Sequence, residues 1–303
     1  MITISNVSKT YDKGAVTALK DISLTIKRDE LFGLIGPDGA GKTTLFRILT
    51  TLLLADEGTA SVNDFDVVKD YRQIRNCVGY MPGKFSLYQD LTIAENLNFF
   101  ATMFGTSLEE NYDLIKDIYQ QIEPFKDRRA GQLSGGMKQK LGLCCALIHK
   151  PVVLFLDEPT TGVDVVSRRE FWEMLKKLKG QGITILVSTA YMDEANLCDR
   201  IALIQKGEIL SVNTPAKIIE SFPEKLYAIK STKSSGLFKL LQDTRNYPGT
   251  ASCFAFGDSL HATFNNSSDK GLIKYLHDKG NADVSMETIV PGVEDCFIHL
   301  LKN

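Results

Sequence analysis

The sequence predicts an α/β fold with four parts: a mixed-sheet core, a small antiparallel β layer, an inserted helical subdomain and a separate α+β unit. Three observations predict it. Gly36-Pro37-Asp38-Gly39-Ala40-Gly41-Lys42-Thr43 fits the phosphate-loop pattern Gly-x-x-x-x-Gly-Lys-Thr and lies between an apolar run at 31–35 and a helical pattern at 44–54. A second apolar run, 152–156, leads straight into Asp157-Glu158. After about residue 222 the pattern changes to a short alternation of strands and helices.

Taken in order, residues 1–7 alternate Ile2 and Ile4 with a solvated face, and Tyr11 closes that segment. Residues 18–26 repeat the strand pattern, and the two form the antiparallel layer. Residues 31–35 read as the buried strand entering the phosphate loop. The helix after it has apolar residues at 45, 46, 48, 49, 52 and 53. Strands follow at 58–62 and 78–82, the second stopped by Pro82. Thr92-Ile93-Ala94-Glu95 has the capping-box pattern and opens a mostly helical stretch, 92–150, with an amphipathic segment at 108–122. Ser134 is the candidate N-cap of its last helix, which Pro151 stops before the strand at 152–156. Further strands are expected at 183–188, 200–204 and 208–212, and Thr214-Pro215 opens a helix to about 222. The domain boundary is placed there, giving 1–222 and 223–303. The tail reads strand 226–231, helix 236–243, strand 251–256, a Gly257-Asp258 turn, strand 260–264, helix 269–278, strand 284–290 and helix 293–301. That is the split βαβ, ferredoxin-like order.

The motifs carry chemistry. Gly36, Gly39 and Gly41 let successive N–H groups turn inward around phosphate oxygens, where side chains would block the approach. The helix beginning near Lys42 adds the positive end of its dipole, Lys42 reaches terminal phosphates, and the Thr43 hydroxyl suits Mg²⁺. Leu133-Ser134-Gly135-Gly136-Met137 exposes unfilled N–H donors at a helix start, a second anion site. Asp157 at a strand end suits Mg²⁺, and Glu158 suits orienting or deprotonating an attacking water. Tyr11 either stacks on a nucleotide base or packs at a sheet edge, and spacing does not choose between them.

Composition bounds the partners. The 303 residues carry 35 Lys+Arg against 37 Asp+Glu, a net charge of −2, so no basic field favours nucleic acid or an anionic membrane surface. Six cysteines without a C-x-x-C pair, beside only four histidines, indicate neither a disulfide frame nor a zinc site and suit a reducing cytosol. No apolar stretch approaches the roughly 18 residues of a spanning helix and no signal peptide is expected, so any membrane association is peripheral.

The phosphate loop, Leu-Ser-Gly-Gly-Met, Val-Val-Leu-Phe-Leu-Asp-Glu-Pro and Thr161-Gly162-Val163-Asp164, in this order, resemble the ATP-binding subunit of an ABC transporter over residues 1 to about 220. The resemblance implies that Gly36 to Thr43, with Thr44, hold the nucleotide and Tyr11 stacks on adenine. It makes Thr43 and Asp157 the Mg²⁺ ligands and Glu158 the general base. Asp164 falls in the loop that communicates across a dimer, and Ser134 to Gly136 face the γ-phosphate of the opposite subunit in a head-to-tail sandwich. The closing Pro291-Gly292-Val293-Glu294-Asp295-Cys296-Phe297 is similar to the C-terminal element of daunorubicin-resistance-type export ATPases, and the chain as a whole is similar to the first ATP-binding half of two-cassette members. A type-2 exporter subunit is implied, peripheral on the cytoplasmic face of the inner membrane, working with an integral-membrane permease and a second ATP-binding subunit.

Two positions depart from the family pattern. Gly83 stands where a Gln is expected to touch Mg²⁺ and water, and Ala190 where a His is expected to contact the γ-phosphate. Neither side chain donates a hydrogen bond, and none of His149, His261, His277 or His299 lies in register to substitute. Asp38 adds an acid inside the phosphate loop where Asn is usual. The expectation is retained ATP binding with impaired hydrolysis at this chain's own site, hence a heterodimer in preference to a homodimer. The competing readings are a soluble, non-transport ABC protein and a regulator that binds ATP without turnover.

Overall fold

The computed structural model describes residues 1–231, 236–265, 271–281 and 283–301. The chain divides into two compact units, Met1–Pro215 and Ala216–Asn303. The first contains β1 (Ile2–Tyr11), β2 (Val16–Ile26), β3 (Leu31–Ile35), α1 (Lys42–Leu49), β4 (Glu57–Val62), β5 (Phe65–Asp66), α2 (Tyr71–Cys77) and β6 (Val78–Met81). It continues with α3 (Ile93–Met103), α4 (Tyr112–Tyr119), α5 (Gly135–Leu147), β7 (Val153–Asp157), α6 (Val165–Gly180), β8 (Thr184–Thr189), β9 (Arg200–Gln205) and β10 (Glu208–Asn213).

Two sheets clamp α1. The first is antiparallel, in the order β2-β1-β4-β5; the second has the order β10-β9-β3-β8-β7-β6. In the second, β9, β3, β8, β7 and β6 run parallel, and only β10 is antiparallel. Leu45, Phe46, Ile48 and Leu49 of α1 fill the space between Ile4, Leu19 and Ile22 on one side and Phe32, Phe155 and Leu186 on the other. Burial of this apolar volume fixes where α1 starts, and with it the start of the phosphate site. Because β6, β7, β8 and β3 are parallel neighbours, their C-terminal ends open on one edge: Asp157 pairs with Ser188, Leu34 with Ser188, and Met81 with Leu156. Crevices outside the carboxyl ends of such strands are where ligands bind.

Several expected bounds differ. The helix after the loop ends at Leu49 rather than 54, because Thr51 takes a left-handed φ of 63° and the chain turns through Thr50–Leu53. Strands β1 and β2 both run longer, to and from the Tyr11↔Val16 pair. Helices α2 and α6 were not anticipated. Within 92–150 the helices are α3, α4 and α5, joined by single 3₁₀ turns at 123–125 and 130–132. The capping box forms: Glu95 N donates to Thr92 Oγ1 at 3.1 Å and Thr92 N to Glu95 Oε2 at 2.8 Å.

Pro215 opens α7 (Pro215–Glu220), whose remaining residues belong to the second unit, so the division falls just after the first residue of this helix, where the sequence reading placed it after residue 222. The Cys296 thiol donates to Ile218 O, tying α7 to its own unit. That unit continues β11 (Leu226–Ser231), α8 (Leu237–Arg245), β12 (Thr250–Phe256), β13 (Ser259–Phe264), α9 (Leu272–Asp278), β14 (Val284–Ile289) and α10 (Val293–Leu300). Its sheet is wholly antiparallel in the order β12-β13-β11-β14, over a core of Ile229, Leu240, Leu260, Leu272 and Leu276. The start expected for the helix at 269 lies outside the described residues.

Candidate functional site

The phosphate loop runs from the end of β3 to the start of α1 and is pinned from both sides. Gly36 N donates to Thr189 O at 3.2 Å, and Gly207 N to Ala40 O at 3.0 Å. Gly36 lies so close to β9 that a Cβ would collide with the Ile204 carbonyl oxygen, and Gly41, at φ 106°, would collide with that of Ala18. Gly39 takes φ 77° with open space around it. The two kinds of glycine separate in a test. Gly36→Ala should lower stability by about 1–3 kcal/mol through overpacking and also weaken nucleotide binding, whereas Gly39→Ala should cost only the left-handed penalty of about 1–2 kcal/mol. Denaturant midpoints beside nucleotide titrations check it, and equal binding by the two variants would contradict the steric account.

Lys42 is 3% exposed. Its ammonium donates to Gly36 O at 2.8 Å and Pro37 O at 3.0 Å and lies 3.1 Å from Glu158 Oε1. A buried ammonium is tolerable only when its protons are used, and here two carbonyls and a carboxylate use them. Thr43 and Thr44 are half-buried in the first turn, and the Tyr11 hydroxyl lies 3.4 Å from Thr44 Oγ1. That bond sets the Tyr11 ring at the entrance of α1. Asp38 and Gly39 face solvent.

Asp157, the last residue of β7, is 2% exposed. Its Oδ1 accepts from the Ser188 hydroxyl at 2.6 Å. Glu158 follows at φ 51°, a left-handed conformation uncommon for a residue with a Cβ. Its N–H donates to both Ser188 O (3.1 Å) and Ser188 Oγ (3.0 Å). Beside them, burial and the neighbouring Asp157 charge push the Tyr80 phenol up to about 12, so it stays protonated at neutral pH.

Ser134 is the N-cap of α5, accepting from Met137 N at 3.4 Å, with Ser134 and Gly135 exposed and Leu133 buried. Gly136 packs so closely on Ser167 of α6 that a Cβ would be 2.8 Å from Ser167 Oγ. Asp164 caps α6, accepting from Val166 N at 3.1 Å and Ser167 N at 3.0 Å. Those N–H bonds, Ser167 first, hold its carboxyl below the usual range. Thus the two helix starts abut.

A family signature described as ABC transporter matches residues 19–161. The "Probable multidrug ABC transporter ATP-binding protein YbhF" of Escherichia coli is 38% identical over 303 residues, 99% of this chain and 52% of that protein. The "Nod factor export ATP-binding protein I" of Burkholderia lata is 40% identical over 223 residues, 73% of each. The chain belongs to the ATP-binding proteins of ABC transporters. It spans about half the length of the first curated relatives it matches. Among solved structures, the dimeric post-hydrolysis state of the ATP-binding cassette MJ0796 with ADP and Pi aligns with TM-score 0.64 and 28% identity, over 71% of this chain and 98% of that one.

In this ABC ATP-binding protein, of the two positions Gly83 and Ala190, the first lies beside the acids. Gly83 lies against Asp157, where a Cβ would be 3.0 Å from Asp157 O and 3.7 Å from Glu158 Cβ. Ala190 follows β8, and the next segment is held from α6 and from the turn before it: the Arg168 guanidinium pairs with Asp193 and stacks 5.0 Å over Tyr191, and Thr160 Oγ1 donates to buried Glu194 at 2.8 Å. His149 is engaged elsewhere. It stacks on Phe104 at 3.8 Å, bonds Val78 O at 3.0 Å, and burial holds it below its usual value. Sequence reasoning missed Ser188, Thr160, Arg168 and Glu194; the one signal was a serine inside an apolar strand pattern.

Proposed function

We propose that the chain is the ATP-binding subunit of an exporter, binding MgATP at the phosphate loop and pairing head-to-tail with a second ATP-binding subunit to drive an integral-membrane permease. The observation that carries this is the meeting of Lys42 with Glu158 at 3.1 Å, directly beside Asp157, at the mouth of a glycine loop on a helix start. Gly36 to Thr43 and Thr44 bind the phosphates, and Tyr11 receives the adenine. Thr43 and Asp157 hold magnesium, an ion that suits one carboxylate, a hydroxyl, waters and shared phosphate oxygens. Bound there, it neutralises charge on the phosphates. Glu158 is the general base, and Ser134, Gly135 and Gly136, flanked by Leu133 and Met137, serve the partner's site.

The names of the relatives, multidrug and export, support the direction of transport. Similarity along 99% of the chain to half of a longer relative supports kinship with one half of a two-cassette protein. The strand order of the second unit supports its ferredoxin-like reading. No helix among the described residues is long and apolar enough to cross a membrane; in this reading the permease supplies the membrane path. The subunit then works on the cytoplasmic face. Measuring ATP turnover of the chain co-purified with its membrane partner tests the whole reading; a complex that binds no ATP, or no permease that co-purifies, rejects it.

A groove of about 670 Å³ lies in the first unit, with Tyr80, Met81, Phe85, Leu87, Phe100 and Met103 among its walls. It is the surface on which residues 84–91 would receive a cytosolic helix of the permease. Tyr88, 51% exposed, stands edge-on to Phe99 at 4.8 Å. Exposed aromatics beside an apolar groove are the usual anchors of an interface. Charged residues at Leu87 and Tyr88 should therefore reduce co-purification with the permease at least about tenfold, since an anchor contributes 2 kcal/mol or more. A folded double variant that still co-purified fully would show these side chains to be local packing only.

A further inference from the structure

We propose that Ser188 is a positioning residue for the metal: its one hydroxyl fixes the Asp157 carboxylate and the Glu158 main chain together, so that the remaining Asp157 oxygen is presented to magnesium. The proposal rests on the reading of Thr43 and Asp157 as the magnesium ligands. Ser188 is 0% exposed and follows Ile185, Leu186 and Val187, all fully buried, in β8. A hydroxyl in such a strand is unfavourable unless its bonds are made. It makes two, in opposite senses. It donates to Asp157 Oδ1 at 2.6 Å, a short charge-assisted bond, and accepts from Glu158 N–H at 3.0 Å.

The arrangement follows from sheet register. Asp157 pairs directly with Ser188 across β7 and β8, and Ser188 pairs with Leu34 of β3, the strand that enters the phosphate loop. One side chain thus lies between the acid-bearing strand and the loop-bearing strand. The donated proton occupies one carboxylate oxygen and fixes the plane of the group, which removes rotation that would otherwise have to be frozen on metal binding. The accepted N–H, shared with Ser188 O, holds Glu158 in its left-handed conformation and so directs its side chain toward Lys42. With Gly83 supplying no side-chain bond nearby, the orientation of the Asp157 carboxylate depends heavily on this hydroxyl, while Lys42 holds the Glu158 side chain.

The test measures binding rather than turnover. Isothermal titration of ATP into the chain is run with chelator and then across a magnesium series, for wild type, Ser188→Ala and Ser188→Thr. Outer-shell partners of metal ligands typically carry about 10–100-fold in metal affinity, so Ser188→Ala should raise the magnesium required by that factor while metal-free ATP affinity stays near wild type. Ser188→Thr, which keeps the hydroxyl, should recover most of it. In an Asp157→Asn background Ser188→Ala should add almost nothing, because the ligand it orients is gone; this cycle also reports if either serine variant loses stability. Unchanged magnesium dependence in Ser188→Ala, or equal losses with and without metal, overturns the proposal. A wild-type protein that binds ATP with no magnesium dependence at all overturns the magnesium site itself.

Discussion

Lys42→Ala is expected to reduce MgATP affinity by about 10–100-fold or more, the equivalent of one to two charged hydrogen bonds at about 1.5–3 kcal/mol each. The reason is double. Lys42 is the only side-chain cation within the loop, and its ammonium also bonds the Gly36 and Pro37 carbonyls, so its loss removes a phosphate partner and loosens the loop's own closure. In the nucleotide-free protein it also holds Glu158 at 3.1 Å. Its removal leaves that carboxylate, about a quarter exposed, to water, so the fold should survive. Isothermal titration beside a melting curve reads both effects; a folded variant with wild-type affinity would remove the loop from consideration as the nucleotide site.

The second large effect is an asymmetry between two substitutions. In a heterodimer with a second ATP-binding subunit, Ser134→Arg is expected to eliminate most ATPase activity, and Glu158→Gln little. Ser134 and Gly135 are exposed at the start of α5; arginine there would fill the helix-start anion site a partner would need. Glu158 sits beside Gly83, whose lack of a side chain offers no hydrogen bond to water, and Ala190 offers none to a γ-phosphate. Positioned acid–base groups contribute about 10²–10⁴-fold, so a base without aligned water contributes little to the total rate. The site would hold ATP as a clamp. If Glu158→Gln proved the damaging change, or if this subunit alone turned over at an ordinary 1–10³ s⁻¹, another group must be replacing the missing Gln and His.

Local pattern determined much of this protein. The phosphate loop, the strand ending in Asp157, the Thr92–Glu95 capping box, the Ser134 cap and the alternation of the tail were all legible, because each depends on near neighbours in sequence: glycine torsions, side-chain caps and runs of apolar residues. Helix α6 went unanticipated although it buries Phe171, Trp172, Leu175 and Leu178; its exposed face carries charges, and Val165 and Val166 at its start point to solvent, which blurs the period. What tertiary structure alone decided is which distant residues share the site. Ser188 meets Asp157 through the parallel register of β8 on β7, Gly36 requires its lack of a side chain through the approach of β9, and Lys42 meets Glu158 because two sheets bury α1 between them. Such contacts are set by the packing of whole layers, and no local spacing in the chain encodes them.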